Sequence, residues 1–184
     1  MVSGPSGVGK TSVVAGLAER MPFHFSVSMT TRPARPGETD GVAYQFVSRE
    51  EFSAARDRGE LIEWAEYSGH LYGTPRAPVE AALAAEQDVL LDIELLGAEQ
   101  VKEAFPEALM VFVEPPSLEV LETRLRGRGD TDEFQIARRL AAARWQMERA
   151  RSLFGYFVVN DQLERAIDEV AGILAVPGSP GSPR

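Results

Sequence analysis

The chain has 184 residues, a net charge of −9 and no cysteine. That length suits one domain with a real core, and a 44% hydrophobic content argues against disorder. The acidity argues against a general nucleic-acid or anionic-membrane surface, and the missing thiols exclude disulfides, thiolate metal sites and a cysteine nucleophile. No stretch approaches the ~18 apolar residues of a membrane span, and no signal-peptide pattern opens the chain, so a cytoplasmic protein is expected. Positive charge is local. The chain has two lysines, Lys10 and Lys102, whereas eight arginines fall between Arg124 and Arg151.

In chain order, Met1-Val2-Ser3 reads as a first strand. It is short against the usual ~5–6 residues, so it is expected either to fray or to continue upstream of Met1. Lys10 to Met21 reads as a helix with Val13, Val14, Leu17 and Met21 on one side, ended by Pro22. Phe25 to Met29 alternates as a strand. Thr30 to Gly41, rich in Arg, Pro, Gly and Thr, is a loop that is costly to order unless it binds something. Tyr44 to Val47 is a short strand, and Ser48-Arg49-Glu50-Glu51 has capping-box form and opens a helix to about Arg58. Leu61 to Tyr67 alternates as an antiparallel strand. A Ser-Gly turn leads to Leu71-Tyr72-Gly73-Thr74, and a helix is expected from Pro75 to Glu86. Val89 to Ile93, with Asp92 near its end, and Leu109 to Val113 read as buried parallel strands separated by a helix from Gly97 to Phe105. Helices follow from Ser117 to Arg126 and from Asp132 to about Leu153, around Gly127-Arg128-Gly129-Asp130. A last strand, Phe157 to Val159, precedes a last helix, Leu163 to Val176. Pro177 to Arg184 is expected to be disordered.

Buried strands alternating with helices imply an α/β protein with a parallel sheet flanked by helices. The stretch from Thr30 to about Leu71 breaks that rhythm with short antiparallel strands and reads as an insert. The resulting expectation is a single domain over 1–176: a core of 1–29, 75–117 and 152–176, an insert of 30–74 and a helical lid of 118–151.

The chemistry starts at Gly4-Pro5-Ser6-Gly7-Val8-Gly9-Lys10-Thr11, which fits the phosphate-binding pattern G-x-x-x-x-G-K-[ST] at every fixed position. A glycine-rich loop turns successive N–H groups inward as an anion nest. Lys10 can reach the β- and γ-phosphates as a point charge, the Thr11 hydroxyl can ligate Mg2+, and the helix dipole points at the same anion. A nucleoside triphosphate is the expected ligand.

With that loop, the stretch Thr30-Thr31-Arg32-Pro33-Ala34-Arg35-Pro36-Gly37-Glu38-Thr39-Asp40-Gly41-Val42-Ala43-Tyr44-Gln45-Phe46 resembles the guanylate kinase family signature T-[ST]-R-x-x-[KR]-x-x-[DE]-x-x-G-x-x-Y-x-[FY]. The resemblance continues through Ile62-Glu63-Trp64, Tyr72-Gly73-Thr74, Leu91-Asp92-Ile93-Glu94, Gly127-Arg128-Gly129, Arg138-Arg139-Leu140 and Val159-Asn160-Asp161, roughly residues 2 to 175.

The resemblance implies transfer of the γ-phosphate of ATP to GMP, with Mg2+ as cofactor. It implies a GMP-binding insert and a closing lid. Arg32, Arg35, Tyr44 and Tyr72 would hold the GMP phosphate through forked guanidinium and phenolic hydrogen bonds, with Glu38 in the same signature. Glu63 would accept from guanine N1–H and N2–H, while Ser28 and Thr74 donate to O6. A site built this way rejects a base that leaves its polar groups unpaired, by ~10⁴-fold in good cases. Asp92 would help hold hydrated Mg2+ or position the acceptor. Glu94, standing where the family usually has Asp, would approach the guanine amino edge. Arg128 and Arg139, and less firmly Arg124, would neutralise the transferring phosphoryl group, each worth ~10³-fold by analogy with arginine fingers. Asn160 and Asp161 would lie at the ATP adenine. Two other functions fit the same fold: a kinase for a ribosyl phosphate, which should lack a guanine pocket, and a non-catalytic interaction module, which tends to lose the loop lysine and the lid arginines. No nucleic acid or membrane partner is expected, and oligomeric state is open.

Overall fold

The computed structural model describes residues 1–67, 69–127 and 132–175. The described elements, in chain order, are β1 (Val2–Ser3), α1 (Lys10–Ala18), β2 (His24–Phe25), β3 (Met29–Thr30), β4 (Gln45–Phe46), α2 (Arg49–Asp57), β5 (Leu61–Tyr67), β6 (His70–Pro75), α3 (Arg76–Ala84), β7 (Val89–Leu90), α4 (Leu95–Ala104), β8 (Val111–Glu114), α5 (Leu118–Arg126), α6 (Glu133–Ala150), β9 (Tyr156–Val159) and α7 (Leu163–Leu174). They form two compact units. One is built from Met1–Pro22 and the described part of Leu109–Arg184, the other from Phe23–Ala108.

The first unit holds a parallel sheet in the order β1-β8-β9. Its central strand is apolar but for its last residue, and all four residues are buried, as a strand covered on both faces must be. Phe112 is fully buried and meets Phe154 edge-on, ring centroids 5.2 Å apart. The first strand is as short as its sequence suggests, two residues long. On one side α1 lies close against α7. Val13 and Leu17 of α1 and Ala166, Ile167 and Val170 of α7 are all buried. Gly16 permits this approach, because a Cβ there would lie 2.2 Å from Ile167 Cδ1. Elsewhere in the unit α5 and α6 pack through Leu121, Leu125 and Ala143. Their N-termini are capped by Ser117 and Asp132, whose side chains accept from Val120 N and Gln135 N. Arg126 of α5 also donates to Glu133 of α6.

The second unit holds a two-stranded parallel sheet, β2-β7, and a four-stranded sheet in the order β4-β3-β6-β5. Two expectations change here. The strand read as continuous from Phe25 to Met29 is two strands, because the chain leaves β7 at Ser26 N→Leu90 O and joins β6 three residues later. The insert is not wholly antiparallel. β3 pairs in parallel with β4, since the long segment between them is a crossover rather than a hairpin, while β6 runs antiparallel to both β3 and β5. β7 is also shorter than the run Val89 to Ile93 suggests. The capping box at Ser48 and Glu51 forms as read, and α2 covers a small core of Phe52, Leu61 and Leu71.

Among the described residues no helix is long and apolar enough to cross a membrane. The expectations for Ser68, for Arg128 to Asp130 and for the tail 177–184 lie outside the described residues.

The closeness of α1 to α7 predicts that Gly16→Val overpacks their contact. The expected loss is about 1–3 kcal/mol, read as a fall of several degrees in Tm. An unchanged Tm would show that the two helices have room to separate.

Candidate functional site

In the first unit the glycine-rich loop leaves β1 and runs into α1. Gly4, Gly7 and Gly9 all take positive φ, and Gly9 is the residue preceding the first turn of α1, at φ 98°. No side chain caps that turn, so its leading N–H groups stand ready for an anion. A Cβ at Gly9 would also lie 2.5 Å from Asn160 Nδ2, so a side chain there is opposed by both backbone and neighbour. Lys10 Nζ donates to Gly4 O at 2.7 Å, closing the loop on itself. Thr11 is exposed at the start of α1.

Two residues brace the loop from below. Asn160 is 5% exposed, and its amide nitrogen donates to Val8 O at 2.8 Å. Arg124 donates to the same carbonyl at 3.2 Å and to Asn160 O at 2.9 Å. The Asn160 amide nitrogen is thus engaged with the loop, and it and Arg124 act as one brace. The sequence offers little sign of this, since Val8 and Asn160 are 152 positions apart. Arg139 is half-buried on α6, one residue beyond Arg138, which stacks on Phe134. Arg128 lies outside the described residues.

In the second unit the signature loop brings its residues together without a ligand. Arg32 makes a bidentate pair with Glu38, both contacts at 2.9 Å. Its guanidinium lies over the rings of Tyr44 and Phe46, at 5.3 and 5.7 Å. Glu38 also accepts from Arg35 N at 2.7 Å. The Arg32 contacts hold the Glu38 carboxyl below the usual carboxylate range. Glu38 therefore serves the clamp differently from its neighbours. Its oxygens are engaged by Arg32 and the Arg35 backbone, and they hold the Arg32 guanidinium in place. Thr30 and Thr31 fasten the root of the loop to Leu71, through Thr30 Oγ1→Leu71 O and Leu71 N→Thr31 Oγ1. Asp40 accepts from Phe46 N at 2.8 Å. These bonds supply the order that the loop was expected to need a ligand for. Arg35 itself is exposed, its side chain at the rim.

Tyr44 and Tyr72 meet edge-on, with centroids 6.0 Å apart. The Tyr44 phenol is pushed up to about 12, first by burial and then by the charge of Asp92, with Glu94 contributing less. Arg32, Tyr72, Asp92 and Glu94 thus all lie near enough to Tyr44 for their charges to act on it.

Glu63 is the most unusual group. It is 4% exposed on β5, where a bulge between Leu61 and Glu63 breaks the alternation and leaves Leu61, Ile62 and Glu63 buried in succession. Its cross-strand partner on β6 is Thr74, fully buried, whose Oγ1 donates to Glu63 Oε1 at 2.7 Å. In this structure the Thr74 hydroxyl is thus engaged with Glu63. Ser28, the other expected donor to guanine O6, is half-buried. Burial pushes the Glu63 carboxyl up to about 7, opposed by the Thr74 bonds and aided by the charge of Glu94. Among the described residues no group of three or more Asp, Glu or His could hold a metal by itself.

A glycine-rich phosphate loop at the head of one α/β unit, with a buried acid and an arginine–tyrosine cluster in the other, is the arrangement of a P-loop protein. The guanylate kinase family model matches residues 1–176. Guanylate kinase of Synechococcus sp. (strain JA-3-3Ab) is 51% identical over 98% of this chain and 83% of its own length. A guanylate kinase of Thermus thermophilus is 52% identical over 95% of this chain and 79% of its own. The crystal structure of guanylate kinase from Anaplasma phagocytophilum superposes with a TM-score of 0.78 at 35% identity, covering 94% of this chain and 81% of that one. The chain belongs to the guanylate kinase family.

The raised Glu63 carboxyl makes a stability prediction. The folded state favours its neutral form, so its burial is harmless below about pH 4.5, costs stability progressively as pH rises from 4.5 to about 7, and costs no more above that. The full cost is on the order of 3 kcal/mol. Glu63→Gln keeps the shape and cannot ionise. It should melt several degrees above the wild type at pH 8, with the gap closing by pH 4.5. A gap independent of pH would show that the carboxyl is not held in its neutral form.

Proposed function

We propose that this chain transfers the γ-phosphate of ATP to GMP, giving ADP and GDP. The observation that supports the reading is the buried Glu63 carboxyl, paired to a hydroxyl; its two oxygens would accept two hydrogen bonds from one base edge. Guanine offers N1–H and N2–H side by side, whereas adenine presents an acceptor at N1. The membership of the family and the phosphate loop support the same reading.

The roles of the residues follow from their chemistry. The N–H groups of Gly4 to Thr11 and the Lys10 ammonium hold the β- and γ-phosphates of ATP. The hard Thr11 hydroxyl would hold Mg2+ as a hydrated ion, which keeps several waters and is bound largely by phosphates, and the Asp92 carboxylate is an oxygen ligand of the class that would meet it partly through water. When bound, the ion neutralises charge shared between the β- and γ-phosphates. Arg32, held by Glu38, with Arg35, Tyr44 and Tyr72, fixes the GMP phosphate. An oxygen of that phosphate forms the new bond to the γ-phosphorus while the bond to the β–γ bridging oxygen breaks and ADP leaves. Arg139 and Arg128 meet the charge spread over the transferring group. Ser28 and Glu94 complete the base contacts, and Asn160 with Arg124 keeps the loop in shape. Positioning and electrostatics suffice, since phosphoryl transfer asks little acid–base chemistry of the protein. A cytoplasmic location fits this activity.

A coupled ADP-release assay with ATP and Mg2+ tests the reading. GMP, AMP, CMP, UMP and ribose 1,5-bisphosphate are compared as acceptors, and turnover is expected with GMP alone. Lys10→Ala should abolish it. Turnover with the ribosyl phosphate instead would keep the fold and overturn the substrate, and undiminished turnover in Lys10→Ala would overturn the role of the loop.

A further inference from the structure

Gly97 lies in the first turn of α4, is buried, and has ordinary helical φ. Nothing in its backbone calls for glycine, which costs about 1 kcal/mol against alanine inside a helix. The reason lies across the packing interface. A Cβ on Gly97 would fall 2.0 Å from Glu63 Oε2 and 2.8 Å from its Cδ. The carboxylate thus occupies the space a side chain at 97 would take.

Neither side of this contact is free to slide. Gln100, one turn further along α4, grips the backbone of Trp64 both ways, accepting from Trp64 N at 3.2 Å and donating to Trp64 O at 2.8 Å. That fixes α4 against β5 at the residue next to Glu63. The other carboxylate oxygen, Oε1, is tied to Thr74 Oγ1. A methyl group at 97 would therefore displace the end of the Glu63 side chain rather than the helix.

We propose that Gly97 is a positioning residue for guanine selectivity: its missing side chain, with the Gln100 grip and the Thr74 hydroxyl, sets where the Glu63 carboxylate stands. The proposal rests on the reading of Glu63 as the guanine contact. Gly97 touches no substrate. It acts through Glu63, so its effect should appear in GMP recognition and nowhere else.

The test is a double-mutant cycle read by steady-state kinetics and thermal melting, using wild type, Gly97→Ala, Glu63→Ala and the double variant. Gly97→Ala should fold with a Tm close to wild type, because the gain in helix propensity offsets the displaced side chain. It should raise KM for GMP by about tenfold or more, as a misplacement near 1 Å can cost up to ~10²-fold, while KM for ATP is unchanged. In the Glu63→Ala background the same substitution should add less than about twofold, since the group it displaces is gone. If Glu63→Ala leaves GMP use intact, the reading of the pocket fails and the proposal with it. If Glu63→Ala loses GMP selectivity, the pocket reading stands. The proposal alone then fails under any of four results: Gly97→Ala keeps the wild-type KM for GMP, raises both KM values alike, shows its full effect in the Glu63→Ala background, or folds only in the double variant.

Discussion

A carboxylate taken out of water and given a hydroxyl rather than a cation as its partner is the constraint around which the second unit is arranged. An isolated buried charge is expensive, and a structure optimised for stability alone would place a neutral side chain at position 63. Here the strand bulges to bring Glu63 inward, Thr74 is buried opposite it to supply one proton, and α4 carries no side chain where the second oxygen stands. Such an acid has unmet accepting capacity and a dry environment, which makes paired N–H donors on a flat base edge worth more than they would be in water. On the proposed reading of Glu63 as the guanine contact, the stability given up there is the counterpart of selectivity: a base that cannot supply those donors leaves the carboxyl without partners.

The two loops proposed to hold phosphates are ordered by different means, each from contacts within its own unit. The loop in the first unit relies on backbone. Its glycines allow the positive φ values, Lys10 closes it, and Asn160 with Arg124 holds Val8 O from beneath. The loop in the second unit relies on side chains. Arg32 is already forked against Glu38 and stacked on Tyr44 and Phe46, so less conformational entropy is lost when a phosphate replaces part of that pairing. In each case the group proposed to face the anion is held by a neighbour.

Much of this was legible in the chain. The glycine-rich loop and the stretch from Thr30 to Phe46 carry their chemistry in local spacing, and the capping residues Ser48, Ser117 and Asp132 announce their helices within four residues. What the sequence hid depends on residues far apart. Nothing local tells that Ser26 to Ser28 passes the chain from one sheet to another, that β3 and β4 run parallel, or that Thr74 stands opposite Glu63 and bonds to it. Asn160 could be read as a base contact because its neighbours matched a pattern; only the fold shows that its amide also bonds to Val8. Gly97 could be read as a helix start, whereas α4 begins at Leu95 and the glycine answers to a side chain 34 positions earlier.

On the proposed reading, burial keeps the Glu63 carboxyl largely protonated until the pH approaches about 7, and bound guanine stabilises its charged form. Carboxyl-carbon NMR measures this directly, with the Glu63 resonance assigned by its loss in Glu63→Gln. In the free protein the resonance should titrate near pH 7, and saturation with GMP should move its midpoint well down into the ordinary carboxylate range or below. A midpoint near 4.5 in the free protein, or one that GMP leaves in place, would contradict the account.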